Sequence, residues 1–228
     1  MVTLNDVLAA SYSFVEAPPA MAQNNTALLL IDVQKLATPE HLAGKAAAAG
    51  LPADEVAAVL ADYSQRFYAA VDNAATLLDA ARSAEIARIH IKIEALSGNA
   101  SDTGPAHRRL GWCYPPGSAE TRILDAVQPD AGEIVISKTV SGAFTATNLD
   151  SVLRHTGIEW LLIAGFMTDE CIEATGRAAL DLGYMALFAE DAATAYEAES
   201  HDHFMAKYAG WGLTRSTADL VQVLGCLE

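Results

Sequence analysis

Three features of the chain predict an α/β fold of three layers, α/β/α, around a parallel sheet of about six strands. Short apolar runs alternate with longer segments of helical period, the pattern of parallel strands joined by helical crossovers. The runs are continuous rather than alternating in polarity. Ala27-Leu28-Leu29-Leu30-Ile31 and Leu161-Leu162-Ile163-Ala164 are the plainest, and strands buried on both faces read this way. Reactive side chains follow three of these runs: Asp32 the first, Lys138 the run Ile134-Val135-Ile136-Ser137, and Cys171 the segment that breaks at Gly165. In an open α/β sheet that edge is where ligands bind.

Taken in order, residues 1–25 show no clear strand and carry Pro18-Pro19, so they are expected to form an arm ahead of a single domain of residues 26–228. The first strand spans 27–33. From 52 to 83, Val56, Val59, Leu60, Tyr63, Phe67, Val71, Leu77 and Leu78 recur at spacings near three and four, which predicts a long helix. The second strand spans 86–93. Ile89, Ile91 and Ile93 alternate there with His90 and Lys92, which suggests a strand nearer the sheet edge. Residues 94–117 hold too many glycines and prolines for a regular element, and loops of that length are usually functional. Beyond them the pattern predicts a short helix at 119–127, a strand at 134–137 and a helix at 148–155. A strand at 161–165, a helix at 171–182, a strand at 184–189 and a helix at 200–208 complete the series.

The chain of 228 residues is long enough for one sizeable core. Its formal charge of −15 argues against nucleic acid and anionic membranes as partners, since phosphates would be repelled. Cys113, Cys171 and Cys226 form no C-x-x-C pair and no structural zinc spacing, so they read as reduced thiols. The first residues lack the features of a secretory signal, and no apolar run is long enough to span a bilayer; a cytoplasmic location is expected.

Cys171 opens a predicted helix, where unpaired N–H groups and the helix dipole favour a thiolate. Asp169 and Glu170 oppose that charge, so a nearby cation such as Lys138 is needed to hold the thiol pKa down.

Three segments appear in order: Leu29-Leu30-Ile31-Asp32-Val33-Gln34, then Ser137-Lys138-Thr139-Val140-Ser141-Gly142-Ala143-Phe144, then Gly165-Phe166-Met167-Thr168-Asp169-Glu170-Cys171 continuing to Ala179. Together they resemble the isochorismatase-like cysteine hydrolases, the group containing nicotinamidases, N-carbamoylsarcosine amidohydrolase, ureidoacrylate amidohydrolase and biuret hydrolase. The resemblance runs from about residue 27 to the region of Asp191. It implies a Rossmann-like sheet, a catalytic triad of Asp32, Lys138 and Cys171, and a cis peptide at Phe166-Met167. The implied chemistry is covalent: Asp32 takes the thiol proton, Cys171 attacks the carbonyl of a small linear amide, N-carbamoyl or ureido compound, and water cleaves the thioester. Backbone N–H groups of Met167 or Thr168 and of Cys171 are expected to hold the oxyanion. Two alternatives stand beside this. One is hydrolysis of a vinyl ether as in isochorismate, for which family members do not need the cysteine. The other is a non-enzymatic binding or regulatory subunit, which has no need of three reactive groups at separate strand ends.

His107, Arg108, Arg109, Trp112 and Tyr114 share one loop and are expected to offer a charged clamp and an aromatic wall, arginine being suited to planar groups; a solvated loop or a subunit contact is the competing reading. Gln34 points to the same side of its strand as Asp32 and is placed to meet an amide or, equally, a backbone or loop group. Phe144 resembles a pocket aromatic of the family, though an aromatic is more often core. His90 lies where metal-dependent nicotinamidases carry ligands, but no Asp-x-His pair follows it, so it is read as a strand residue and no metal or other cofactor is expected. Arg177 is expected to pair with an acid, and His201 and His203 to be solvated. The continuation Asp32-Val33-Gln34-Lys35-Leu36 departs from the family's common Asn-Asp-Phe, which leaves substrate identity open. The arm, the long helix and the resemblance suggest a homo-oligomer with pockets near subunit contacts.

Overall fold

A computed structural model describes residues 2–11 and 18–227. Six parallel strands form one sheet in the order β3-β2-β1-β4-β5-β6: β1 Thr26–Ile31, β2 Ala87–Ile93, β3 Ile134–Lys138, β4 Trp160–Phe166, β5 Met185–Thr194 and β6 Thr214–Arg215. Every residue of β1 and β4 is buried, as their unbroken apolar runs require of central strands.

The helices are α1 Leu4–Ser11, α2 Pro39–Ala48, α3 Ala53–Ser83, α4 Pro105–Arg109, α5 Leu149–His155, α6 Glu173–Asp181, α7 Ala198–Ala209 and α8 Thr217–Leu224. They cover both faces of the sheet. Phe166 of β4 stacks on Phe67 of α3, with ring centroids 4.4 Å apart. On β5, Phe188 packs edge-on against Phe204 and is tilted against Tyr208, both on α7. A Cβ added at Gly176 of α6 would stand 2.3 Å from the Phe188 ring, so only glycine lets α6 lie this close to β5. Among the described residues no helix is long and apolar enough to cross a membrane.

Several expectations are corrected. β2 lies inside the sheet and β3 forms the edge. His90, whose alternation with Ile89 and Ile91 suggested that edge position, is 1% exposed, and its Nε2 lies 2.9 Å from Glu133, which Arg82 and Arg88 also bind. Residues 119–127 form two separate 3-10 turns, Ala119–Thr121 and Asp125–Val127, rather than a helix. Part of the expected N-terminal arm is helical as α1, and residues 12–17 lie outside the described residues. The elements α2, β6 and α8 were not anticipated; α2 is alanine-rich and carries no apolar stripe, while β6 spans only two residues.

Candidate active site

The strand order reverses direction between β1 and β4, and the crevice outside their carboxyl ends is where such a sheet binds ligands. Asp32 follows β1 in the left-handed region, with φ 54°, uncommon for a residue with a side chain. Its N–H donates to Ile91 O at 2.9 Å. Gly165 of β4 has φ 118°, and a Cβ there would lie 2.0 Å from Ile31 O. Glycine therefore permits the close approach of β4 to the end of β1, bringing the turn after β4 beside Asp32.

Lys138 ends β3, two strands away from β1, in register with Ile93 of β2. Strands lie about 5 Å apart, so a long side chain is needed to cross β2. Its Nζ lies 2.8 Å from Asp32 Oδ2 and donates to Cys171 Sγ at 3.2 Å and to Val140 O at 3.1 Å. An ammonium has three hydrogens, and three acceptors surround this one. Asp32, Lys138 and Cys171 are 2%, 1% and 2% exposed.

Burial sets the electrostatics. It raises the Asp32 pKa, with Lys138 opposing. It also drives the Cys171 thiol well above its ordinary range, reinforced by Asp32 and opposed by Lys138. For Lys138 burial acts downward, but Asp32 and then Cys171 outweigh it and hold the ammonium charged. A buried trio with one cation supports one negative charge, not two. A carboxyl is the stronger acid of the two, and burial pushes the Cys171 thiol further up. Moving the proton from sulfur to Asp32 leaves the trio neutral overall. Cys171 itself lies in a π-type turn, Thr168–Ile172, ahead of α6 rather than in the first turn of the α-helix expected from 171, and burial there acts against the charged sulfur while Lys138 favours it.

The turn is closed by N–H groups of Glu170 and Ile172, each donating to Met167 O at 3.1 Å. The Phe166-Met167 peptide is cis. Met167 Sδ lies 3.9 Å from the hydroxyl of Tyr63, which donates to Ala37 O. Thr168 is fully buried, and its Oγ1 lies 2.9 Å from His201 Nδ1. His201, expected in solvent, is instead half-buried against the cysteine turn, whereas His203 is exposed.

The remaining candidates divide. His107 is 2% exposed, its ring lies against Trp112, and its Nε2 is 3.3 Å from Ser141 Oγ. Burial and then Lys138 press its pKa down to about 4, so it is a neutral imidazole near the trio, with Nδ1 unpartnered among the described residues. Arg108 donates to the carbonyls of Ser101 and Thr103, which makes it a loop brace, and Arg109 is exposed. Gln34 is fully buried and engaged with backbone: Nε2 donates to Ile93 O and Thr121 O, and Oε1 accepts from Ile93 N. It clamps the exits of β1 and β2 to the following loop. Phe144 stacks on Tyr184, which precedes β5 at the end of the sheet away from Cys171. Arg177 pairs with Glu173.

Tyr196, near the site, was missed. Burial, then Glu170 and Cys171, raise the Tyr196 hydroxyl pKa, and its ring tilts against Tyr63. Glu170 is raised by burial and Asp169, with Lys138 opposing. Tyr196 belongs to no local pattern; it comes into place because Arg66 of α3 donates to Thr194 Oγ1, Ala195 O and Tyr196 O, gathering the chain after β5. Among the described residues no group of three or more His, Cys, Asp or Glu side chains is arranged to hold a metal.

The Isochorismatase domain matches residues 26–219. Ureidoacrylate amidohydrolase RutB of Agrobacterium fabrum is 35% identical over 115 residues, 46% of this chain and 47% of that protein. Maleamate amidohydrolase of Pseudomonas putida is 29% identical over 142 residues, 61% of this chain and 67% of that protein. The chain thus matches about half the length of the ureidoacrylate amidohydrolases it resembles. A cysteine hydrolase from Pseudomonas syringae shares the fold with TM-score 0.74 at 19% identity, over 94% of this chain and 98% of that one. N-carbamoylsarcosine amidase from Thermoplasma acidophilum does so with TM-score 0.62 at 21% identity, over 85% and 96%. With the domain matched over most of its length and the sheet order and strand-end residues in place, the chain belongs to the isochorismatase family.

Proposed function

We propose that this protein is a metal-independent cysteine amidohydrolase that cleaves the C–N bond of a small linear amide, of N-carbamoyl or ureido type. The observation that carries the reading is the buried contact of Lys138 with both Asp32 and Cys171. Asp32 accepts the thiol proton and Lys138 stays beside the sulfur as it gains charge. The thiolate attacks the amide carbonyl, and N–H groups of Met167 or Thr168 and of Cys171 receive the oxyanion. Asp32 returns its proton to the departing nitrogen, ammonia or an amine leaves, and a thioester remains. Water, deprotonated by Asp32, then cleaves the thioester and restores the thiol. In this reading the buried His107 and its neighbour Trp112 wall the substrate space and the exposed Arg109 serves at its rim. The named amidohydrolase relatives support a ureido or amide substrate.

Ammonia release from a panel of amides, N-carbamoyl and ureido compounds tests this on parent, Cys171→Ala and metal-stripped protein. Release by parent and stripped protein, with a loss of at least about a thousandfold in Cys171→Ala, is the expected result. Release that vanishes on stripping, or survives in Cys171→Ala, refutes it. The three free cysteines support a reducing, cytoplasmic setting. Leu51 and Val59, exposed beside a groove between α2 and α3, support a homo-oligomer, which light scattering of a clean monomer would exclude.

A further inference from the structure

His201 joins three elements. It stands on α7, its Nδ1 is 2.9 Å from Thr168 Oγ1, and the Glu190 backbone is near enough to favour its protonated form. Glu190 belongs to the stretch of β5 where the register with β4 shifts. Thr168 opens the turn that carries Cys171, is fully buried, and its hydroxyl meets no other hydrogen-bond partner among the described residues.

The direction of these bonds follows from donor chemistry. A neutral imidazole carries one N–H; with that proton on Nε2, Nδ1 is an acceptor and the Thr168 hydroxyl donates to it. Burial keeps the ring neutral, assisted by Arg66 on α3 and opposed by Asp202 on its own helix, by the Glu190 backbone and by Asp169 on the turn. Threonine is stiff at χ1, so pinning its hydroxyl also pins its backbone relative to α7.

We propose that His201 is a positioning residue for the oxyanion site: through Thr168 it orients the peptide between Met167 and Thr168 and the N–H groups of the turn, without touching the Asp32, Lys138 and Cys171 trio. The inference rests on the amidohydrolase reading. It predicts a division between two reactions of the same sulfur. Amide hydrolysis needs the oxyanion donors, whereas displacement of iodide from iodoacetamide by Cys171 forms no oxyanion.

The test compares parent, His201→Phe, His201→Asn and Thr168→Val in steady-state hydrolysis and in the rate of Cys171 alkylation by iodoacetamide. Asparagine places an acceptor oxygen near the Nδ1 position. His201→Phe is expected to lower kcat by about 30-fold or more with KM within about threefold, since small misplacements near the chemistry cost up to about a hundredfold. Alkylation stays within about threefold of parent, and His201→Asn recovers kcat to within about fivefold. The His201→Phe, Thr168→Val double variant is no slower than the worse single one, because both remove one interaction. Unchanged kcat in His201→Phe, parallel loss of alkylation and hydrolysis, additive losses, or no recovery with asparagine would each overturn the assignment. If His201→Phe does not fold, Thr168→Val against Thr168→Ser decides the same question, valine losing rate and serine keeping it. A parent that alkylates but hydrolyses no panel member refutes the amidohydrolase reading itself; an active parent with an unaffected His201→Phe refutes this inference alone.

Discussion

Lys138 donates to Cys171 Sγ at 3.2 Å while both side chains are withdrawn from solvent. The same ammonium lies 2.8 Å from Asp32, so one cation serves two acids whose proton is shared out between them. The arrangement lets a thiolate form without a change in the net charge of the buried trio.

Replacing Lys138 by methionine leaves Asp32 buried without a counter-charge. Breaking such a pair from one side costs about 3–5 kcal/mol. Urea unfolding of Lys138→Met is expected to show a loss of that order, and alkylation of Cys171 to slow by about tenfold or more as the thiolate loses its cation. The double variant Asp32→Asn, Lys138→Met regains part of the stability and none of the alkylation rate. A single variant as stable and as reactive as the parent contradicts the account.

At Gly165 a methyl group has no room, standing 2.0 Å from Ile31 O on a backbone at φ 118°. Gly165→Ala must part β4 from β1 at the point where Asp32 emerges, and a loss of about 4 kcal/mol or more is expected, with activity lost in whatever folds. Gly98→Ala, with nothing within 4 Å of its Cβ, serves as the control and changes stability by about 0.5 kcal/mol or less. Thermal unfolding of the two variants decides the point; equal melting temperatures count against it.

Gln34→Leu removes three hydrogen bonds to buried backbone at Ile93 and Thr121. Unpaired buried polar groups cost about 1–3 kcal/mol each, so a loss of about 3 kcal/mol is expected overall. Hydrogen exchange in 93–95 and 119–123 should rise ahead of global unfolding, because this side chain ties those segments to β1. Unchanged protection there would show that the clamp is dispensable.

His107 supplies a pH dependence. Its folded pKa of about 4 lies below the ordinary 6.5, so the unfolded chain binds its proton more readily. The stabilisation is complete above pH 6.5 and is lost as pH falls toward about 4, amounting to at most about 3 kcal/mol. Unfolding free energies of the parent should fall more steeply between pH 7 and 4 than those of His107→Gln. Parallel curves would remove His107 as the cause.

Much of this protein is legible along the chain. The β1 and β4 runs announce buried strands because a central parallel strand has no polar face, and Asp32, Lys138 and Cys171 stand out because each follows such a run. The order of those motifs was enough to reach the family. His90 shows where local reading stops: a polar residue in an apolar strand suggests exposure until Glu133, from another part of the chain, is seen to meet it. Gln34 and Phe144 share the error in reverse, since position near Asp32 or Lys138 suggests substrate while backbone amides and Tyr184 occupy them instead.

The sequence alone determined the elements, their reactive ends and the parallel sheet, all consequences of periodicity and of what single side chains tolerate. The tertiary structure decided the burial of Cys171 beside Lys138 and Asp32, the burial of His107 and the bond between Thr168 and His201. Those depend on desolvation and on charges and acceptors brought from distant segments, and both act through space rather than along the chain.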